Sequence, residues 1–293
     1  QWRNGVDFEK LGDYAKAEEA YRAALRDDPH HGPAHTALGL LELRRGQCEA
    51  AEKEIGEALA REPGSDEARY ALGLCRLLQE RRHEAIGELR GLLRSRTHRA
   101  AAAYLLGGLH LGADDAPRAE QQLGKLVQEA PWDHEAAALL STALRRQERL
   151  EEARRVVERV LAENPLCLQA AAEAWCLERQ ASGSTTGAEK SARERLENLL
   201  RGEVQSYLEV AVEYGRFGLY AEACAVLELY NRGVPERRAA YPMVDYFLGY
   251  YVEKLGGDAL PHVQRASEAA PDFVFPHRLE AEAALRRALQ LAP

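Results

Sequence analysis

Between Cys48 and Arg61, the apolar residues Ala51, Ile55, Ala58 and Leu59 fall at i, i+4, i+7 and i+8, while Glu52, Glu54 and Glu57 take positions between them. That is the one-sided stripe of an amphipathic helix with 3.6 residues per turn, its carboxylates on the solvated face. Glu62-Pro63-Gly64 closes the helix, because proline cannot continue it and glycine tolerates the turn. The preceding stretch, Gly39-Leu-Leu-Glu-Leu-Arg-Arg-Gly46, predicts the end of another helix and a turn. No useful run of alternating β-branched residues occurs, so no strand is predicted.

The helix pair recurs. Gly5, Gly39, Gly73 and Gly107 are 34 residues apart, as are Ala17, Ala51, Ala85, Ala119 and Ala153. Tyr21, Ile55, Leu89, Leu123 and Val157 keep the same step, and Pro29, Pro63, Pro131 and Pro165 share it with one beat skipped at Thr97. Two helices per period make an array of antiparallel helix hairpins. One hairpin cannot bury its own apolar face, so stability must come from stacking. The predicted fold is all-α, a solenoid of about eight hairpins.

The small residues show how each hairpin nests. Gly39 and Ala51 lie on opposite arms, where little or no side chain lets the backbones approach, with Leu38, Ile55 and Ala58 around them. This constellation resembles the tetratricopeptide repeat family: Gly5, Phe8, Ala17, Tyr21, Ala24 and Pro29, then Leu38-Gly39, Ala51, Ile55, Ala58 and Pro63, then Leu106-Gly107, Ala119, Leu123, Leu126 and Pro131. Gly12-Asp13-Tyr14 matches the family's usual turn. The resemblance implies a right-handed superhelix. A regular array of about five repeats is expected over residues 1–165, an irregular repeat over 166–202, and divergent repeats with a terminal helix over 203–293. In the irregular repeat Trp175 replaces the small residue, and the turn lengthens at 181–187. Tyr241 to Tyr251 and Ala270 to Glu280 are similar to segments of large bacterial repeat proteins that also carry a galactose-mutarotase-like β-sandwich domain. That narrower likeness implies a link to carbohydrate metabolism, and a β domain outside this segment.

Composition narrows the function. Net charge is −8, and Lys and Arg form no block or stripe, which argues against a nucleic-acid partner. No apolar run approaches the ~20 residues of a membrane span. Five cysteines without a CxxC pair predict free buried thiols and a cytoplasmic setting. The start at Gln1 rather than Met predicts a segment of a longer chain, whose signal or further domains would lie outside it. No catalytic constellation is expected. His30, His31 and His35 include an i, i+4 pair, but no carboxylate or cysteine completes a metal set nearby. Gly107-Gly108 and Gly256-Gly257 lack the spaced glycines of a phosphate loop. Neither a metal nor a cofactor is predicted.

The resemblance implies that the first helix of each hairpin lines a concave groove, through residues three before and one after the small core position. These are Thr36 and Leu40, Tyr70 and Leu74, Tyr104 and Gly108, Ala138 and Thr142, then Leu208 and Val212, and Tyr246 and Tyr250. They are mostly apolar and hold no Lys/Asn/Arg clamp for a terminal carboxylate, so an apolar or aromatic peptide is the expected partner. Twelve of the 17 Tyr and Phe residues follow Arg201, which fits a partner surface or a seam to another domain. Packing between neighbouring helices is the competing account of the tyrosines. The sequence therefore predicts a non-enzymatic protein- or peptide-binding scaffold, with a scaffolding segment of a larger bacterial carbohydrate-active protein as the alternative.

Overall fold

The computed structural model describes residues 1–182, 187–232 and 241–268. Among these residues it contains sixteen α-helices and no strand. They pair in chain order as α1 (Trp2–Lys10) with α2 (Tyr14–Asp27), α3 (Gly32–Arg44) with α4 (Cys48–Arg61), and α5 (Asp66–Leu78) with α6 (Arg82–Gly91). Then come α7 (Arg99–Gly112) with α8 (Ala116–Glu129), α9 (His134–Arg146) with α10 (Leu150–Glu163), and α11 (Leu168–Ser182) with α12 (Gly187–Leu200). The last pairs are α13 (Val204–Arg216) with α14 (Tyr220–Asn231), and α15 (Pro242–Lys254) with α16 (Leu260–Glu268). The described residues form two compact units, 1–102 and 103–268. Within each unit the second arm of one hairpin packs on the first arm of the next, as in α2 on α3, α4 on α5, α10 on α11 and α14 on α15. The fold is an all-α solenoid of antiparallel hairpins.

Local chemistry sets the boundaries. Asp13, Ser65, Asp115 and Asp133 cap α2, α5, α8 and α9 by accepting a backbone N–H from three residues on. His31 caps α3 in the same way through Nδ1. The turn inside each of the first five hairpins passes through the left-handed region at one residue. The position recurs every 34 residues: Gly12, Gly46, Glu80, Asp114 and Glu148, with φ of 77, 79, 59, 58 and 60°. Glycine takes this conformation freely and the other three at a cost, so the turn geometry persists where its usual residue has been lost.

The expected crossings are tight. A Cβ at Gly39 would come within 2.5 Å of Ile55 Cγ1 and 3.3 Å of the Ala51 carbonyl oxygen. Gly73 faces Leu89 and Gly107 faces Leu123 in the same manner. Ala17, Ala51, Ala85, Ala119 and Ala153 are fully buried. At the sixth hairpin Trp175 is buried, donates from Nε1 to Glu189 Oε1 at 2.8 Å, and carries Arg179 over its ring at 4.7 Å. The lengthened turn expected at 181–187 centres on residues outside the described ones, as do segment 270–280 and the terminal helix.

The expectation of freely solvated carboxylates on α4 needs correction. Glu52 reaches Arg76 at 2.7 Å and Arg81 at 3.3 Å, and Glu54 bonds His35 Nδ1 at 2.7 Å. Only Glu57 of the three is exposed. The stripe marks the face toward the sister arm, but long carboxylates beside it still reach neighbouring helices.

Candidate interaction surface

In the first unit, the predicted groove residues sit on α3 and α5, two first arms packed against each other. Thr36 is buried, and its hydroxyl donates to the Gly32 carbonyl oxygen at 3.2 Å. Leu40, Tyr70 and Leu74 are half-buried. Leu40 and Leu74 lean on the core formed by Ala51, Ile55, Ala58, Ala68 and Ala71, and the Tyr70 ring lies 5.1 Å from that of His98. His35, between Glu54 and the Pro29 carbonyl oxygen, and His31, capping α3, already have partners.

In the second unit Tyr104 is half-buried like Tyr70, while Thr142, Leu208 and Val212 are buried. Tyr104 donates from its hydroxyl to Glu213 Oε1 at 2.6 Å and meets the Phe217 ring edge-on at 5.7 Å. Phe217 is fully buried. A Cβ at Gly108 would overlap its ring, and one at Gly112 would fall on its backbone carbonyl oxygen. Helix α7 and the end of α13 are therefore in direct contact through two glycines. Thr142 is fully buried and donates to the Ala138 carbonyl oxygen at 3.3 Å, and Ala138, Leu208 and Val212 are buried too.

A buried ionic network joins α9, α11, α13 and α14. Arg145 of α9 donates from Nε and one Nη to Glu173 of α11 at 2.9 and 3.0 Å, and to Glu222 of α14 at 3.0 Å. Arg146 adds a second contact to Glu222 at 2.9 Å, and Tyr214 of α13 donates its hydroxyl to Glu173 at 3.0 Å. Burial alone would push the Glu222 carboxyl up, but Arg145 and Arg146 together hold it below the usual carboxylate range. Burial and then Glu173 push the Tyr214 hydroxyl far above its usual value, so it is a fixed donor. Beside the network lies a cavity of ≈ 20 Å³ lined by Tyr104, Glu135, Thr142, Glu173, Glu213 and Tyr214. It has room for about one water molecule rather than a substrate. Burial first, and then Glu213, raises Glu135 above the ordinary carboxylate value.

Tyr246 and Tyr250 on α15 are half-buried. Tyr250 lies under the Lys254 amine at 5.2 Å and meets Tyr220 edge-on at 6.3 Å. Much of the aromatic enrichment after Arg201 packs internally: Tyr207 on Tyr230, Tyr220 on Tyr251, and Phe247 on Tyr251, with centroids 5.3 to 5.7 Å apart. The five cysteines are free and buried, and burial pushes the Cys176 and Cys224 thiols up to about 12. Among the described residues no helix is long and apolar enough to cross a membrane.

Sequence reasoning missed Glu213, Phe217 and Glu222. Gly108 and Gly112, small residues outside the repeating ladder, were the available signal, since extra glycines on an inner face permit a close approach by another helix.

The Tetratricopeptide repeat model matches residues 10–75 and 110–175. No curated protein matches the chain closely enough to serve as a relative. Among solved structures, pilF of Pseudomonas aeruginosa is similar at 19% identity and TM-score 0.59, over 72% of this chain and 95% of that one. The C-terminal part of a TPR repeat-containing protein of Cytophaga hutchinsonii aligns over 97% of this chain and 99% of its own, at 14% identity and TM-score 0.57. YrrB, described as a TPR protein with an unusual peptide-binding site, aligns at 17% identity and TM-score 0.53, over 64% and 96%. At these identities the likeness establishes the fold. The family match and the hairpin geometry agree over residues 10–75 and 110–175, which are similar to tetratricopeptide repeats.

Proposed function

We propose that the chain is a protein- or peptide-binding scaffold, and that the first arms of its first unit carry the binding strip. Tetratricopeptide repeats generally mediate protein–protein interaction, and YrrB is a structural neighbour described as binding peptide. The observation that supports the placement is the cluster of half-buried apolar positions on the adjacent helices α3 and α5. Leu40, Tyr70 and Leu74 keep exposed surface on adjacent helices, whereas Thr142, Leu208 and Val212 are sealed. A half-buried tyrosine flanked by leucines offers apolar contact area at little side-chain entropy cost, which favours an apolar or aromatic peptide segment. Tyr246 and Tyr250 form a second, smaller step in the other unit.

The test is selection of displayed peptides on the whole chain, followed by calorimetric titration of the selected sequences against variants. Tyr70→Ala and Leu74→Ala should weaken binding by ~2 kcal/mol or more for a hot-spot side chain, roughly thirtyfold. Tyr246→Ala should give a smaller loss. Unchanged affinity in Tyr70→Ala, together with a lowered melting temperature, would make the ring a packing residue and remove the strip.

A further inference from the structure

The second arms α8 and α10 flank a groove of ≈ 870 Å³ that the inner-face reading does not use. Its apolar part comes from Leu140 and Leu144 of α9, both buried, with Val127 of α8 and half-buried Val156 of α10. Along α8 the lining runs from Pro117 to Gln128, roughly 16 Å at 1.5 Å per residue, enough for about three turns of a bound helix.

The charge on the groove is uneven. Arg149 contacts both Glu120 and Glu152 at 2.7 Å, so those two carboxylates already have a cation. Lys125 and Arg159 also line the groove, are exposed, and make no ion pair among the described residues. The lining thus holds three cations against two carboxylates, an excess of one positive charge beside an apolar floor in a chain of net charge −8.

Gly124 supplies an independent observation. It stands in the middle of α8, where glycine weakens a helix, yet a Cβ there would meet nothing within 4 Å. Unlike Gly107 or Gly112, it makes room for no neighbour within the chain. Because it lines the groove, its missing side chain lets an incoming backbone approach.

We propose that the α8–α10 groove is a second docking site, and that its occupant is a short amphipathic helical segment of another protein, apolar on one face and flanked by carboxylates. Its apolar residues one turn apart would lie over Leu140, Leu144 and Val156, its backbone would pass Gly124, and its carboxylates would pair with Lys125 and Arg159. This site does not depend on the strip at Leu40, Tyr70 and Leu74.

The experiment is a selection of displayed 14-residue peptides on the full chain, counter-selected against Gly124→Leu, with the survivors measured by fluorescence anisotropy. Expected survivors are rich in Leu or Phe at i and i+4 with Asp or Glu beside them. Their affinity should fall at least tenfold in Gly124→Leu and in Lys125→Glu/Arg159→Glu. It should also fall as NaCl rises from about 25 to 250 mM, because exposed ion pairs are screened. Gly56→Leu is the matched control, since Gly56 is equally open on α4 and lines no part of this groove. Circular dichroism should show Gly124→Leu melting no lower than the parent. If that variant melts lower, the charge-reversal pair decides the matter. Survivors that are basic, survivors equally weakened by Gly56→Leu, or an absence of any Gly124-dependent peptide would overturn the proposal. So would sedimentation showing a dimer that Gly124→Leu converts to monomer, because the occupant would then be a second copy of the chain.

Discussion

Replacing Gly112 by alanine tests whether the inner face of the second unit is closed, because the sign of the effect depends on it. On an open inner face the change exchanges glycine for the best helix former and should stabilise by up to ~1 kcal/mol. In the closed arrangement the new methyl would fall on the Phe217 carbonyl oxygen. That atom belongs to the α13–α14 turn, pinned by Gly218 N–H to Gly215 O at 2.9 Å and Leu219 N–H to Tyr214 O at 3.0 Å, so it cannot swing aside as a side chain would. Either α7 and the turn separate, weakening the Phe217 packing and the Tyr104–Glu213 bond, or the backbone distorts. Overpacking of this kind costs ~1–3 kcal/mol, and a chain of 150–250 residues loses ~2–4 °C of melting temperature per kcal/mol. A fall of several degrees is therefore expected by circular dichroism. Gly124→Ala is the internal reference: the same chemical change on α8, with nothing within 4 Å, should raise the melting temperature slightly. A Gly112→Ala protein that melts at or above the parent temperature would refute the contact between α7 and α13.

Arg145→Met should destabilise the second unit by ~3–5 kcal/mol, since it leaves Glu173 and Glu222 buried without their main cation. Combining it with Glu173→Leu and Glu222→Leu should restore much of that loss, and urea unfolding compares the two. Glu222 carries a pH signature: its folded carboxyl lies below the unfolded value of 4.5, so its contribution is present above about that pH and is lost as pH falls through the folded value. The melting-temperature gap between parent and Glu222→Gln should accordingly narrow below about pH 4.5. Glu148 sits at φ 60° in the exposed turn of the fifth hairpin, so Glu148→Gly should stabilise by ~0.5–1 kcal/mol, and a lower melting temperature would contradict the left-handed turn.

What the sequence disclosed follows from the range of the forces involved. Gly39, Ala51 and Ile55 meet within one hairpin, only 12 to 16 residues apart, so their spacing is legible as a period. The closure of the second unit joins residues more than 70 apart, as Arg145 to Glu222 and Tyr104 to Glu213, and no period reports such a contact. Tyr104 illustrates the difference. Its place on the first arm of a hairpin was readable from Gly107, but whether that arm faced a groove or another helix depended on Phe217, three hairpins later. Tyr70 holds the same repeat position and remains partly exposed beside His98. Two residues at one register are thus equally half-buried but have different neighbours. A repeat pattern specifies the stacking of each hairpin on the next, whereas the long-range contacts decide which inner positions keep a surface to offer. In this chain Gly108 and Gly112 mark where that surface was given up to internal packing, and Gly124 marks a helix face that packing leaves open.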